Sequence, residues 1–249
     1  LTTRNLSGLD SAAVAAMTSD QVAALDSDVT GLSSSAIAAF NSINVAGLTT
    51  SALAAMSVAQ VELLGDSAIG LTTDGLDALT ATNISGLTTR AISLLSSDQV
   101  AALGADAAAL GSDDLAAMTS VNIYGLTTDA VQALYSEQVA ALGEDAAALG
   151  TDALGALTSV NIYGLTAATL TALTSDQVAA LGTDVAELGT AYMAALTTAN
   201  IKGLTTTVVA ALSSAQVASL GIDATALNQL MPDRDRAGLQ LIRNKQAGI

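Results

Sequence analysis

Large apolar residues, chiefly leucine, recur along the chain every seven or eight positions, and small or polar residues fill most of the positions between them. Between Leu126 and Gly164 the chain reads LTTDAVQA, LYSEQVAA, LGEDAAA, LGTDALGA and LTSVNIYG. The third of these five segments has seven residues and the others have eight, so together they make a unit of thirty-nine residues. Each segment opens with leucine and closes with alanine or glycine.

The same unit occurs five times in full, at residues 9–47, 48–86, 87–125, 126–164 and 165–203. Residues 1–8 match its last segment, and residues 204–226 match its first part. A fixed period of this length is typical of solenoids and repeat arrays, in which each repeat packs only on its neighbours. We therefore expect one tandem-repeat solenoid over residues 1–226, followed by a distinct tail at 227–249.

A short helix fits each segment better than a long helix or a strand. In a continuous helix the leading leucine would rotate by about 80° per eight residues, so no apolar stripe would form. In a strand the leucine and the valine five positions later would lie on opposite faces. Helices of one or two turns are unstable alone. The pattern thus predicts an all-α solenoid, with about five short helical segments in each superhelical coil.

The segment that follows Leu173 shows how such a helix would begin and end. Thr174 or Ser175 can cap its first turn. Val178 and Leu181 lie on one face, and Gly182 supplies a helix stop. The leading leucines of all segments are expected to face the core, for example Leu142, Leu149 and Leu157.

The fifth segment of each unit is rich in β-branched residues and closes with glycine, which predicts an irregular corner. It contains an asparagine in every repeat: Asn5, Asn44, Asn83, Asn122, Asn161 and Asn200. A buried asparagine can satisfy free backbone groups at a bend. The alternative is a row of ligand-binding side chains. The structural interpretation is preferred because stacking of repeats suffices to explain the row.

Two further polar rows follow the same period. A glutamine row, also interpreted as a structural ladder, consists of Gln21, Gln60, Gln99, Gln138, Gln177 and Gln216. An aspartate row consists of Asp28, Asp106, Asp145, Asp184 and Asp223. Stacked helices lie ~8–10 Å apart, too far for neighbouring carboxylates to share a calcium ion. The aspartates are therefore predicted to cap helices, and no metal site is expected.

Composition argues against most kinds of chemistry. The net charge is −16, which disfavours nucleic acid as a partner. The chain has neither cysteine nor histidine, the usual residues for thiol chemistry, zinc binding and general base catalysis. No apolar run approaches the ~18–20 residues of a membrane-spanning helix. We expect no enzymatic activity and no cofactor.

The tail from residue 227 differs from the repeats and contains the chain's only proline, Pro232. We expect it to cover the last coil. Stacking of open coil faces would then join molecules head to tail through residues 1–47 and 204–249. The candidate assembly contacts in the tail are Arg234, Arg236, Leu239, Leu241, Ile242, Arg243 and Lys245.

The strings LTSDQVAAL and LTTxxVxAL resemble the Leu/Thr/Ala tandem arrays of large secreted or surface proteins of bacteria, including adhesin-like proteins. The resemblance covers residues 1–226 and implies a structural role outside the cytoplasm. Two function classes follow. The first is an acidic extracellular rod, spacer or filament-forming adhesive module that associates end to end or with further repeats. The alternative is an interaction scaffold or molecular ruler, which binds a partner protein along the coil surface.

Overall fold

The computed structural model describes Leu6, residues 8–221, Asn244 and Ala247. The chain divides into two compact units, Leu1–Ala130 and Val131–Ile249. The described residues form short α-helices and 3-10 helices joined by tight turns, and no strand occurs among them. The predicted all-α repeat architecture is therefore confirmed.

In the first unit, the helices of successive repeats follow one pattern. The α-helices are Ser11–Ala15, Ser19–Ala23, Ser34–Ile37, Thr50–Ala55, Val58–Glu62, Thr73–Asp77, Thr89–Leu94, Ser97–Ala102 and Ser112–Ala116. The 3-10 helices are Asp26–Gly31, Asn44–Gly47, Gly65–Gly70, Ile84–Gly86, Gly104–Ala109 and Ile123–Gly125. One further α-helix, Thr128–Ala133, includes the boundary between the units.

The second unit repeats the same order of elements. Its α-helices are Ser136–Ala141, Thr151–Gly155, Ala167–Ala172, Ser175–Ala180, Thr190–Met193, Thr206–Ala211 and Ser214–Ser219. Its 3-10 helices are Gly143–Ala148, Ile162–Gly164, Gly182–Glu187 and Ile201–Gly203. Each full repeat thus contains five short helical elements, of which the third and fifth are 3-10 helices.

The third segment has seven residues, whereas the other segments have eight. It forms a 3-10 helix of six residues, Gly143–Ala148 in the fourth repeat. A 3-10 helix rises about 2.0 Å per residue, compared with about 1.5 Å in an α-helix, so this element is longer than the α-helices of four to six residues around it.

Threonine and glycine mark the ends of the second helix in the predicted manner. Thr174, rather than Ser175, caps the helix Ser175–Ala180, and its hydroxyl accepts the Gln177 N–H at 3.2 Å. Gly182 follows with φ of 59°, a left-handed conformation that glycine adopts without steric cost. The first repeat has Asp26 at this position, with φ of 45°.

Leucines that open the segments form the core of each unit. Leu142, Leu149 and Leu157 are 4%, 1% and 4% exposed, so their predicted orientation is confirmed. Much of this core is built across coils. In the second unit, Ala167–Ala172 packs on Gly143–Ala148 of the preceding coil, and Ser175–Ala180 packs on Ile201–Gly203 of the next. Each short helix is therefore stabilised by the element three places away along the chain. One coil thus comprises about three segments, and the expectation of about five segments in each coil is wrong, because the 39-residue repeat is longer than one coil.

The glycine that closes the fifth segment allows adjacent coils to approach closely. A Cβ atom built on Gly164 would overlap the carbonyl oxygen of Ser136 and would lie 2.6 Å from the Val139 Cβ atom. Gly203 meets Ser175 and Val178 in the same way. The structure thus requires glycine here for close contact between coils, and the φ angle is not the reason.

Two glycines of the second unit allow the effect of close packing to be measured apart from the effect of a positive φ angle. Gly164→Ala forces the backbones apart, and we expect a loss of about 3 kcal/mol or more in the free energy of unfolding. Gly143→Ala meets open space and acquires only the strain of its φ of 58°, for which we expect about 1 kcal/mol. Urea unfolding of the three proteins measures both values. Equal losses would contradict the close packing at Gly164.

Candidate functional site

The asparagine of the fifth segment is buried where two coils meet. In the second unit, the Asn161 Oδ1 atom accepts hydrogen bonds from the Thr158 N–H at 2.7 Å and the Thr158 hydroxyl at 3.2 Å. Its Nδ2 atom donates to the carbonyl oxygens of Val131 at 2.9 Å and Leu134 at 3.0 Å. One side chain therefore closes its own turn and binds the preceding coil.

The two carbonyls that receive the amide lie at the end of a helix. The last carbonyls of an α-helix receive no hydrogen bond from an N–H four residues later in the helix, so they need donors from elsewhere. Val131 belongs to the helix Thr128–Ala133, and Leu134 follows it directly. Asn161 thus caps the carboxyl end of a helix in the preceding coil.

The other described members of the asparagine row make the same contacts within their own units. Asn83 donates to the carbonyls of Leu53 and Met56 at 2.9 and 2.8 Å, and Asn200 donates to those of Leu170 and Leu173 at 2.7 and 3.0 Å. Asn44 and Asn122 are likewise 1% exposed and donate to the preceding coil. Asn5 lies outside the described residues.

These bonds leave the row little capacity for a ligand. Both Nδ2 hydrogens of Asn161 have acceptors, and its Oδ1 atom accepts twice, which is the full capacity of the side chain. Throughout the described residues, every buried side-chain nitrogen and oxygen atom has a hydrogen-bond partner. The geometry therefore supports the structural interpretation of the row over the ligand-binding one.

The glutamine row ties coils together through a second contact. The Gln177 Oε1 atom accepts the Thr174 N–H at 2.9 Å, which completes a capping box with Thr174. Its Nε2 atom donates to the carbonyls of Ala147 at 2.8 Å and Leu149 at 2.9 Å in the preceding coil. The described members with such contacts within a unit are Gln60, Gln99, Gln177 and Gln216.

Two further members of the glutamine row also bond to the first residues of their own helices. Gln138 accepts the Tyr135 N–H at 2.9 Å and is 8% exposed. Gln21 accepts the Thr18 N–H at 2.9 Å, but its side chain is exposed. All described glutamines of the row thus cap their own helix, whatever their contact with another coil.

The predicted capping role of the aspartate row is wrong for its described members. Asp145 lies in the first turn of the 3-10 helix Gly143–Ala148, whose cap position is Leu142 and has no side-chain hydrogen bond. Asp28, Asp106 and Asp184 lie in equivalent first turns. The chain enters this helix directly from the preceding one, so the aspartate falls inside the helix. Asp223 lies outside the described residues.

The structure also shows no centre for metal binding in the part of the chain that it describes. No group of three or more carboxylates, histidines or cysteines lies close enough together to hold an ion there. Burial raises the pKa of the Asp114 carboxyl, the Gly111 N–H opposes this by donating to it at 3.2 Å, and Asp113 adds to the rise. Asp114 caps the helix Ser112–Ala116, and this contact gives it a structural role.

Two features of the surface were not predicted. Val160 and Tyr163, in the fifth segment of the second unit, are 75% and 48% exposed. Val121 and Tyr124 are similarly exposed in the first unit. In both units the tyrosine lies three positions after an exposed valine. The pairing is visible in the repeated string VNIYG.

All the candidate assembly contacts of the tail lie outside the described residues: Arg234, Arg236, Leu239, Leu241, Ile242, Arg243 and Lys245. Their predicted role stays a prediction. None of the helices that the structure describes is both long enough and apolar enough to cross a membrane.

Comparison with known families gives one match. The family model described as the ALTTAQ repeat matches residues 1–27, 107–144, 146–183 and 185–221, which together make up more than half of the chain. The matched ranges recur with nearly the same spacing as the repeats seen in the sequence and the structure. No curated protein matches the chain. The protein is therefore a structural repeat module made of short helices.

Two substitutions of Asn161 test whether its hydrogen bonds hold the coils together. Asn161→Ala removes the donor to two carbonyls and the acceptor of the Thr158 N–H and hydroxyl, so we expect a loss of about 3 kcal/mol or more in the free energy of unfolding. Asn161→Asp keeps the acceptor and buries a carboxyl, whose pKa is raised by burial.

Because the folded state then binds the proton more tightly than the unfolded state, Asn161→Asp becomes more destabilising as pH rises through the folded pKa, relative to Asn161→Ala. Urea unfolding at about pH 4.5 and pH 7 compares the two variants and the original protein. A loss below ~0.5 kcal/mol for Asn161→Ala, the size typical of surface substitutions, would contradict the role of the amide.

Proposed function

We propose that this chain, which belongs to the ALTTAQ repeat family, acts as an acidic extracellular spacer or adhesive module, whose copies associate through their coil faces. In this proposal the repeats set distance and present a surface, and they perform no catalysis. The alternative is an interaction scaffold that binds a partner protein along the coil surface.

The proposal is supported by the hydrogen bonds of the recurring polar residues, which are made to the backbone of this chain. The side-chain amides of the asparagine and glutamine rows form hydrogen bonds to backbone groups, both between coils and within a coil. Threonines that follow the leading leucine of a segment cap helices, as Thr174 and Thr205 do. The features that repeat most strictly therefore serve to propagate one coil after another, as a spacer requires.

Charge supports an aqueous surface role. The chain has 23 acidic and 7 basic residues. Acidic side chains such as Asp74, Asp113 and Asp152 lie exposed on the helices. Such a surface keeps a chain rich in alanine and leucine soluble. It also resists non-specific binding to nucleic acid, which is itself acidic.

The exposed valine–tyrosine pairs favour the alternative. Val160 and Tyr163 together offer an apolar and aromatic surface on the fifth segment, with the Tyr163 hydroxyl 3.5 Å from the Glu187 Oε2 atom. Aromatic residues are enriched at protein interfaces. A scaffold would bind its partner through such residues, whereas a spacer does not need them.

Protease treatment of intact cells that produce the protein tests its location. We expect the chain to be cleaved without lysis, while a cytosolic enzyme in the same cells stays intact. Protection of both proteins until lysis would overturn the extracellular role.

The same cells distinguish the spacer from the scaffold. Chemical crosslinking is followed by purification of the original chain and of a Val160→Ser/Tyr163→Ser variant. The spacer predicts the same crosslinked products for both chains. If the original chain is crosslinked to one particular other protein and the variant is not, the result would favour the scaffold.

A further inference from the structure

The repeat 126–164 differs from its sister repeats at the residue before its second helix. The sister repeats have serine or threonine there: Thr18, Ser57, Ser96, Thr174 and Ser213. Each of these hydroxyls accepts the N–H three residues later and so caps its helix. Tyr135 makes no such bond, and its side chain is 70% exposed. This repeat therefore lacks a stabilising cap, and the ring that replaces it adds little to the core.

Tyr135 lies beside the fifth segment of its own repeat. The Asn161 amide donates to the Leu134 carbonyl at 3.0 Å, and Gly164 lies against the Ser136 carbonyl oxygen. Because Tyr135 is the residue between Leu134 and Ser136, its backbone runs alongside the segment that contains Asn161 and Gly164.

This arrangement brings together the exposed large apolar side chains that the structure describes in the second unit, which are Tyr135, Val160 and Tyr163. We call these three residues the tyrosine surface. Single exposed apolar residues are common on soluble proteins, whereas a cluster of them marks an interaction site. Stacking of coils does not require this cluster, because sister repeats have Ser85 and Lys202 at the position of Tyr163.

A carboxylate accompanies each ring. The Glu187 Oε2 atom lies 3.5 Å from the Tyr163 hydroxyl, and Glu137 lies in the first turn of the helix that follows Tyr135. Both glutamates are exposed, and neither forms an ion pair with any residue that the structure describes. The charge of Glu187 is also specific to its repeat, because the sister residues are Gly31, Gly70, Ala109 and Ala148.

We propose that the tyrosine surface, together with Glu137 and Glu187, binds an arginine-bearing segment of a partner protein. This deepens the scaffold function given above as the alternative, and it rests on that function. A guanidinium group stacks on an aromatic ring and forms paired hydrogen bonds with a carboxylate. The aliphatic part of the arginine side chain covers an apolar residue such as Val160.

The chemistry of the surface selects this occupant over others. Two carboxylates repel nucleic acid and anionic lipid headgroups. A neutral sugar can stack on a ring but leaves both charges without a counter-charge. The repeats of a second copy are a poor source of arginine, because residues 1–226 contain only three basic residues, Arg4, Arg90 and Lys202. A cationic partner satisfies the rings and the carboxylates together.

Fluorescence anisotropy of a labelled peptide that alternates arginine with leucine tests the proposal on the full chain, at 0.15 M salt. Replacement of each arginine by citrulline, which is neutral and of similar shape, should abolish binding. Tyr135→Ser restores the residue type of the sister repeats. It should weaken peptide binding at least ~10-fold and also move the urea midpoint to a higher concentration, because the helix regains its cap.

Two glutamates supply a matched control for charge. Glu187→Ala and Glu144→Ala each remove one exposed carboxylate from the second unit and introduce the residue of a sister repeat, Ala148 or Ala105. Glu144 belongs to the helix Gly143–Ala148, outside the tyrosine surface. Glu187→Ala should weaken binding of the arginine peptide at least ~5-fold, and Glu144→Ala less than ~2-fold.

A further variant tests whether the chain's own basic tail is the occupant. It carries glutamine in place of Arg234, Arg236, Arg243 and Lys245. A separate partner predicts peptide affinity within ~3-fold of the original chain. An affinity at least ~10-fold higher would show that the tail competes for the surface from within the molecule, and it would overturn the proposal.

Three other results would overturn it: equal binding of the arginine and citrulline peptides, equal weakening by Glu187→Ala and Glu144→Ala, or binding of cellotriose without binding of the peptide. The crosslinking experiment is a separate test. If a protein is crosslinked to the original chain but not to the Val160→Ser/Tyr163→Ser variant, while the arginine peptide does not bind, the scaffold function stands and the arginine-bearing partner is wrong.

Discussion

The hydrogen bonds from a buried asparagine to the preceding coil are the interaction on which the rest of the structure depends. A helix of six residues has too few internal hydrogen bonds to be stable alone, and its last carbonyls need partners. Asn161 supplies those partners for Val131 and Leu134, and it does so from the next coil. Each short helix of this kind is therefore completed by a residue from the last segment of the same repeat, which lies on the next coil.

Several other features follow from this tie between coils. The amide reaches the carbonyls only if the two backbones lie close together, and Gly164 permits that approach beside Ser136. The glutamine Gln177 adds a second tie on another segment, to Ala147 and Leu149. The small side chains and the repeated amides thus serve the same purpose, which is to bring adjacent coils close together and bond them. Within each unit, a coil cannot change its corner segment without exposing backbone groups of the coil before it.

Much of this architecture could be predicted from the sequence because the repeat shows the same requirement several times. The leucine spacing excluded a long helix and a strand, and Gly182 correctly indicated where a helix ends. The error at Asp145 arose because sequence alone did not show that one helix runs directly into a 3-10 helix, with no separate capping residue. The exposure of Tyr163 was also missed, because it depends on the direction of a 3-10 turn of three residues.

The most direct test is hydrogen exchange of the side-chain amides, measured by nuclear magnetic resonance with nitrogen labelling. The Asn161 and Asn83 Nδ2 hydrogens are bonded between coils, whereas the Gln21 Nε2 hydrogens are exposed. Exchange of the bonded hydrogens requires the coils to open, so their rates should be at least ~100-fold lower than those of Gln21. Equal rates for the buried asparagines and Gln21 would contradict the account, because the coils would then not be held by these amides.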